Sequence, residues 1–373
     1  MIVFLRTSDT GIDSRLRRYV AALESRGLTA ATLFWDRGGN AIGLPHLREF
    51  RFHSAGYLHR PAFTAAFLIL FGLFAIWKLW THRRQIELVH AVDLDTAIPA
   101  LVANRLWGLP FIFDIYDHYA DSRGLSGRSA WLANWIEHRA IDRSARVILA
   151  DQARVAQHGL RDLAKLLVVE NVPMVEAEAS PARKGKGPLR IGYLGTLEAR
   201  FRGLEDVLQV VEKYTEIEVD IAGAGVLEGQ VRAAAARCSR IRFHGPLAHA
   251  EGLRLMAECD VILGLYYRDV ANHRFAAPNK YYEHLLLGRA LLTSRGTPPG
   301  DKVERGGTGW AVEDGTRGIQ GLLQVLTRDR KQVHEAGTRA AALWQARFAD
   351  YFERAIRGDY VDAVLQCRRP IAA

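Results

Sequence analysis

The chain has 373 residues, room for two domains at about 100–200 residues each. With 49% hydrophobic and 24% charged residues it has an ordinary globular composition, which excludes a collagen, a disulfide miniprotein and a disordered tail. Fifty Lys+Arg against 41 Asp+Glu give +9, a bias toward anionic partners such as phosphates, acidic headgroups or nucleic acid, and the 3 cysteines (Cys238, Cys259, Cys367) have no CxxC spacing, which excludes a disulfide or zinc framework and fits a reducing cytoplasm.

The opening run MIVFLR is a first strand, too brief for the apolar core of a signal peptide. Short β-branched or aromatic runs at 2–6, 29–35, 87–92, 110–115, 146–150 and 166–170 predict further strands. Helical patterns fill the gaps at 14–26, 62–81, 96–107, 129–142 and 152–162, with Asp13, Asp95 and Asp151 placed as N-caps. In the first of these helices Arg15 is expected to face a ligand, and Arg17 and Arg18 to be solvated. Alternation of strand and helix predicts an α/β, doubly wound sheet.

Residues 62–77, AFTAAFLILFGLFAIW, carry no charge. As a helix the segment reaches about 24 Å, short of the roughly 20 residues that span a bilayer. From 43 to 86 there are six Lys/Arg and four His against one acid, Glu49. An apolar helix with a basic collar suits an anionic membrane surface, and 62–84 is read as a membrane-associating segment. A core helix packed on two sides is the alternative.

After Asn171-Val172-Pro173 the composition changes, and 174–188 reads as a linker. The expected domains are thus 1–173 and 189–345, with 346–373 a helical end that packs back on the first. Strands restart at 189–194, 218–222, 240–243, 261–265, 290–293 and 309–312, and helical pattern runs from 329 to 366. Two such domains leave a cleft at the carboxyl ends of their strands, where doubly wound sheets bind ligands.

In RIGYLGTLEARFRGLEDVL, Gly195 closes a strand and Arg202-Gly203 opens a helix, a turn that offers backbone N–H groups and a guanidinium to an anion. The turn Ala222-Gly223-Ala224-Gly225 lacks the third glycine of a dinucleotide fingerprint and reads as a tight strand-to-helix connection. Residues 274–304, RFAAPNKYYEHLLLGRALLTSRGTPPGDKVE, place Pro278 at a helix start, Lys280 and Glu283 in its first turns, and Gly288 at its end. Gly296 then leads into a helix reaching Glu304.

These residues resemble glycosyltransferase family 4, whose members carry a pattern close to P-x-K-x-x-E-x-x-x-x-G, an apolar strand, then S-x-G-x-x-x-x-x-E. The first domain is similar to one branch of that family in DTGIDSRLRRYVAALESRG and in VHAVDLDTAIPALVANRLWGLPFIFDIYDHY. The resemblance covers roughly 1–350. It implies the GT-B fold, two Rossmann-like domains facing across a cleft, and retaining transfer of a hexose or related sugar from a UDP- or GDP-linked donor. It implies a lipid-linked or other membrane-bound glycan acceptor in exopolysaccharide, capsule or lipopolysaccharide assembly, at the cytoplasmic side of the inner membrane.

By the same resemblance, Arg202 and Lys280 neutralise the leaving diphosphate, helped by backbone donors at Gly195, Thr196, Gly296 and Thr297. Glu283 takes the ribose, Glu304 lies further along the pocket, and His118, after Asp117, contacts sugar and acceptor without acting as a base. No cofactor and no divalent metal is then expected. Asp93-Leu94-Asp95 spells a metal-binding D-x-D, but at a strand-to-helix junction a capping role is expected instead.

Two positions depart from the family: Phe275 stands where a glutamate is usual, and Thr196 where many members carry Arg, with Arg200 as a substitute phosphate contact. A nucleotide-sugar epimerase and a non-catalytic partner subunit are therefore the rival readings. Nucleic acid is not expected, since the basic residues are not interleaved with aromatics in one module.

Overall fold

The computed structural model describes the chain apart from residues 9, 12, 38, 40, 45, 55–60, 175–186 and 371–373, and of 61–63 the backbone alone. The expected linker falls, from 175 to 186, outside the described residues. The chain divides into two units: Met1–Glu170 with Tyr351–Ala373, and Asn171–Asp350.

In the first unit the elements run β1 (Ile2–Arg6), α1 (Ser14–Ser25), β2 (Ala30–Asp36), β3 (Arg48–His53), α2 (Pro61–Thr81), β4 (Leu88–Val92), α3 (Asp93–Trp107), β5 (Phe111–Ile115), α4 (Tyr119–Ser122), α5 (Gly127–Arg143), β6 (Arg146–Leu149), α6 (Arg154–Gln157) and β7 (Leu166–Val168). The strands form one parallel sheet of order β3-β2-β1-β4-β5-β6-β7. The order reverses direction between β1 and β4, where an open parallel sheet leaves room for a ligand at its carboxyl edge.

β3 was not expected, because Arg48-Glu49-Phe50-Arg51-Phe52-His53 is half charged. As an edge strand it exposes Arg48 and Arg51 and turns Phe50 inward. α3 begins at Asp93, three residues before the expected start, so Asp95 lies inside the helix and pairs with Arg123 at 2.9 Å instead of capping. Asp13 does cap, accepting from the backbone N–H groups of Arg15 and Leu16. The helix expected over 152–162 contracts to α6, followed at Gly159 by a left-handed φ of +57°. Arg17 is exposed, but Arg18 is buried, contrary to its expected solvation, because it lies on the inward side of α1 with Leu16, Tyr19 and Leu23.

The second unit runs β8 (Leu189–Leu194), α7 (Leu204–Lys213), β9 (Ile217–Ala222), α8 (Glu228–Arg237), β10 (Ile241–Phe243), α9 (His249–Ala257), β11 (Val261–Gly264), α10 (Asn279–Leu287), β12 (Ala290–Ser294), α11 (Pro298–Gly306), β13 (Gly309–Val312), α12 (Thr316–Arg328) and α13 (Arg330–Arg347). Its parallel sheet has the order β10-β9-β8-β11-β12-β13, with the reversal between β8 and β11. Ile191, Val219, Val261 and Leu292 lie at its core, nearly continuous apolar runs of the kind that strands covered on both faces require.

The helical pattern expected to continue to 366 breaks after α13. Phe352–Tyr360 is a π-helical stretch leading into α14 (Val361–Cys367). This end belongs to the first unit, where the Tyr360 ring stacks on Tyr19 at 4.0 Å and its hydroxyl lies 3.0 Å from His90 Nδ1. The change of unit comes at Asp350, a few residues after the expected 345, because α13 packs along α10 and β12 to its end.

Candidate active site

At the reversal of the second sheet, Gly195 follows β8 and Gly264 ends β11. Lys280, in the first turn of α10, lies over both. A Cβ built on Gly264 would stand 3.5 Å from Lys280 Cδ, and one on Gly195 would stand 2.8 Å from Nζ. The ammonium also sits 4.9 Å from the centroid of the Tyr193 ring. Burial pushes the Lys280 ammonium down to about 8, with Glu283 opposing and Arg202 adding to the shift. Among the described residues no carboxylate stands within ion-pair distance of it. A cation placed so has unspent affinity for an anion.

Arg202 approaches from the loop before α7. Its Nε lies 2.9 Å from Glu198 Oε2 and its guanidinium 4.7 Å from the Tyr266 ring centroid. Burial opposes its charge most strongly, but the Glu198 hydrogen bond and charge together with Tyr266 and Tyr193 outweigh burial and raise its pKa. Tyr266 follows β11 and packs edge-on to His273 at 5.6 Å. Burial pushes the His273 imidazole down, and the nearby Arg202 pushes the same way, so the ring is neutral near pH 7. Arg202, Tyr266, His273, Tyr193 and Lys280 thus gather at the carboxyl ends of β8 and β11.

The loop after β8 is held by the Ala222–Gly225 turn. Leu197 N–H donates to Ala224 O at 2.9 Å, and Gly195 N–H to Ala222 O at 3.0 Å. A Cβ on Gly223 would overlap the Gly195 carbonyl, and one on Gly225 would fall 2.5 Å from Leu197 O. These glycines therefore serve close backbone approach. Thr196 is exposed, and its carbonyl accepts from the Tyr193 hydroxyl at 2.6 Å. Arg200 is exposed with a φ of +70°, its N–H donating to Glu205 at 2.8 Å.

Glu283 is buried, one turn along α10 from Lys280, and its Oε1 lies 2.9 Å from Nε2 of His249, the first residue of α9. The Glu283 carboxylate raises the His249 pKa, burial opposing. Thr297 caps α11: its hydroxyl donates to Ser294 O at 2.6 Å and accepts from Gly300 N–H at 3.3 Å. That hydroxyl is spent on the cap, leaving the backbone of this turn for a ligand. At Gly296, φ +69°, a Cβ would stand 3.0 Å from the Arg268 guanidinium. Glu304 is exposed on α11, 3.8 Å from Arg295, and lines a hollow of about 360 Å³ with Arg295, Trp310 and Glu313. Neither Lys280 nor Glu283 lines that hollow, so these contacts do not bring Glu304 to the Lys280 group.

In the first unit, Arg6 at the end of β1 and Asp93 just after β4 meet across the other reversal at 2.9 Å. Arg6 also pairs with Asp13 at 3.0 Å, and its guanidinium lies 4.4 Å from the Tyr116 ring centroid. Asp93 has a left-handed φ of +61° and accepts from Tyr116 N–H at 2.9 Å. Burial pushes its carboxyl up to about 6, with Arg6 opposing and Asp117 adding. Arg15 is buried and pairs with Asp114 at 3.0 Å. His118 stands at the start of α4, its Nδ1 2.8 Å from Asp121 and its Nε2 3.8 Å from buried Glu137. Glu137 also takes the buried His158 at 2.8 Å. Asp93 and Asp95 each engage an arginine, and among the described residues no three His, Cys, Asp or Glu are placed to hold a metal.

Sequence reading missed Tyr193, Tyr266, His273, Arg268 and Arg6. Arg6 and Tyr193 lie at the carboxyl ends of β1 and β8, and Tyr266 and Arg268 follow β11 within four residues, whereas His273 lies nine residues beyond it.

Residues 10–171 match the model of the glycosyl transferase 4-like domain. No curated protein matches the chain by sequence. Among solved structures, the chain is similar to sucrose-phosphate synthase from Thermosynechococcus elongatus (TM-score 0.74, 14% identity, 98% of each chain covered). It is also similar to HepE from Anabaena in complex with UDP (TM-score 0.71, 16% identity, 98% of this chain and 99% of that one). A third similar structure is the lipopolysaccharide outer core galactosyltransferase WaaB (TM-score 0.66, 13% identity, 98% and 99% covered). The chain has the GT-B fold.

Proposed function

We propose that this GT-B glycosyltransferase moves a sugar from a nucleoside-diphosphate donor to a membrane-bound glycan acceptor, with retention at the anomeric carbon and without a divalent metal. The observation that carries the donor half is Lys280, a cation with no carboxylate partner among the described residues, laid across the β8/β11 reversal with Arg202 at the same strand ends. HepE, of the same fold, is solved with UDP and with UDP-glucose, which makes a uridine diphosphate sugar the first donor to try.

Breaking the bond from the anomeric carbon to the phosphate oxygen leaves the electron pair on the diphosphate, and Lys280 and Arg202 stabilise that charge as it develops. The acceptor oxygen bonds to the same face of the sugar, and its proton passes to the departing phosphate oxygen. Backbone N–H groups beside Gly195 and at the α11 start, Gly296-Thr297, add donors to the diphosphate. Glu283 accepts from the ribose hydroxyls, with His249 orienting its carboxylate, and His118 contacts sugar or acceptor. The α2 apolar surface and its basic end hold the protein peripherally at the inner leaflet, on the cytoplasmic side, where lipid-linked glycans are presented. WaaB, a lipopolysaccharide galactosyltransferase by name, supports a glycan acceptor of this kind.

A thermal-shift series of UDP, GDP and their sugars at millimolar concentration tests the donor half, the expected result being a rise in Tm with one base and a smaller rise for Lys280→Ala. No rise with any of them overturns it and favours the non-catalytic reading that Phe275 invites. Release of free sugar or epimer from donor alone, with no transfer to glycan, would favour the epimerase.

A further inference from the structure

The helices α2, α3 and α5 form one layer. Phe71, Ala75 and Leu79 of α2, Ala100 of α3 and Ala133 of α5 share a single core with the strands of the first sheet, and α3 packs against both neighbours. All three helices therefore cover the same face of that sheet, and their opposite sides form one outer surface.

That surface is apolar where a solvated layer is polar. On α2, Ile69, Leu73 and Trp77 are 66%, 58% and 51% exposed. They stand two residues from the buried Phe71-Ala75-Leu79 stripe, about 200° around the helix axis at 3.6 residues per turn. The helix is thus apolar on two opposite sides, one locked into the core and one open. On α5 the same offset recurs: Ala133 is buried, while Trp131 and Trp135 are 67% and 47% exposed. Among the described residues of the three helices the exposed acid is Asp142, against exposed Arg105, Arg128, Arg139 and Arg143. Lys78 lies 4.2 Å from the Trp77 ring centroid, and Arg139 5.4 Å from that of Trp135. Exposed tryptophans flanked by cations match the headgroup zone of an anionic bilayer.

We propose that the outer face of the α2–α3–α5 layer is one docking surface for an anionic bilayer. In it α2 lies flat in the headgroup zone without spanning, and Trp131, Leu132 and Trp135 of α5 form a second anchor beside it. A helix with Phe71, Ala75 and Leu79 in the core cannot cross the bilayer unless the first unit comes apart. The inference rests on the membrane reading above and adds the orientation and the second anchor.

The test is sedimentation of the full chain with vesicles of phosphatidylcholine alone and with added phosphatidylglycerol. Wild type is compared with W131S/L132S/W135S, with L73S/W77S and with R128E/R139E, each checked for an unchanged Tm. Expected is binding of wild type to the anionic vesicles, lowered about tenfold or more by each apolar variant. R128E/R139E is expected to lose the preference for phosphatidylglycerol. Wild type that binds neither vesicle sinks the membrane reading and this inference together. Wild type that binds while W131S/L132S/W135S binds equally well overturns the α5 anchor alone. A lipid-free dimer abolished by W131S/L132S/W135S would assign the face to a second copy and overturn the proposal.

Discussion

The Lys280 ammonium occupies the space that a side chain on Gly195 would fill, 2.8 Å from a Cβ built there. The cation and the glycine are 85 residues apart in sequence yet form one feature: the glycine opens the room, and the lysine of α10 reaches across the sheet into it.

Gly195→Ala is therefore expected to displace Lys280 and also to strain a backbone at φ +148°. Misplacing a charge-stabilising group by about 1 Å costs on the order of 10²-fold in turnover. Steady-state kinetics beside a thermal melt check this; a variant with wild-type turnover removes the link between the two residues.

Lys280→Met removes a buried charge that burial has already lowered to about 8. The folded pKa lies below the unfolded value of about 10.4, so the charged lysine costs stability below pH 8, and the cost fades as pH rises from 8 toward 10.4. At neutral pH the methionine variant is expected to melt higher than wild type while turnover falls on the order of 10²-fold or more. In wild type, kcat/KM for the donor should drop as pH rises through about 8. A flat profile from pH 7 to 9 would take the ammonium out of the diphosphate role.

Glu283→Gln should raise the donor KM with little change in kcat, as expected of a group that holds the nucleoside and not the reacting atoms. It also removes the partner of His249, whose pKa that partner raises. The contribution of the pair to stability is complete below the unfolded histidine value of about 6.5 and disappears as pH rises through the higher folded value. Melting wild type and the variant across pH 5–8 should show a gap that closes upward in pH.

Arg202→Ala is expected to lower turnover on the order of 10²-fold, and Glu198→Gln, which frees the guanidinium, to change donor KM more than kcat. Equal loss in both variants would mean that the pair is a structural brace of the loop.

Gly223→Ala should damage the fold itself, since its Cβ would overlap the Gly195 carbonyl at a φ of +147°. A strained residue costs about 1–3 kcal/mol before any clash is counted. A lowered Tm is the expected readout, and a variant as stable as wild type would show that the two loops part without penalty.

Much of the candidate site was legible because its parts are local signals. Pro278, Lys280, Glu283 and Gly288 lie within one helix and its caps, and the structure draws α10 with Pro278 and Gly288 as those caps. Aromatic and histidine partners were not legible: Tyr193 reads as one more core residue of a strand, and nothing along the chain ties Tyr266 and His273 to Arg202. β3 escaped because an edge strand is allowed the charges that its pattern shows. Arg18 escaped because a charged residue on the inward side of α1 looks solvated until the far wall is in place.

Periodicity and glycine placement, which act over a few residues, determined the strand-helix alternation of both sheets, the ends of α10 and the apolar run of α2. Which way each sheet reverses, and so which strand ends become neighbours, depends on pairing between distant segments. That long-range pairing set Lys280 against Gly195 and Arg6 against Asp93, and it gave one side of α2 to the core while leaving the other side open.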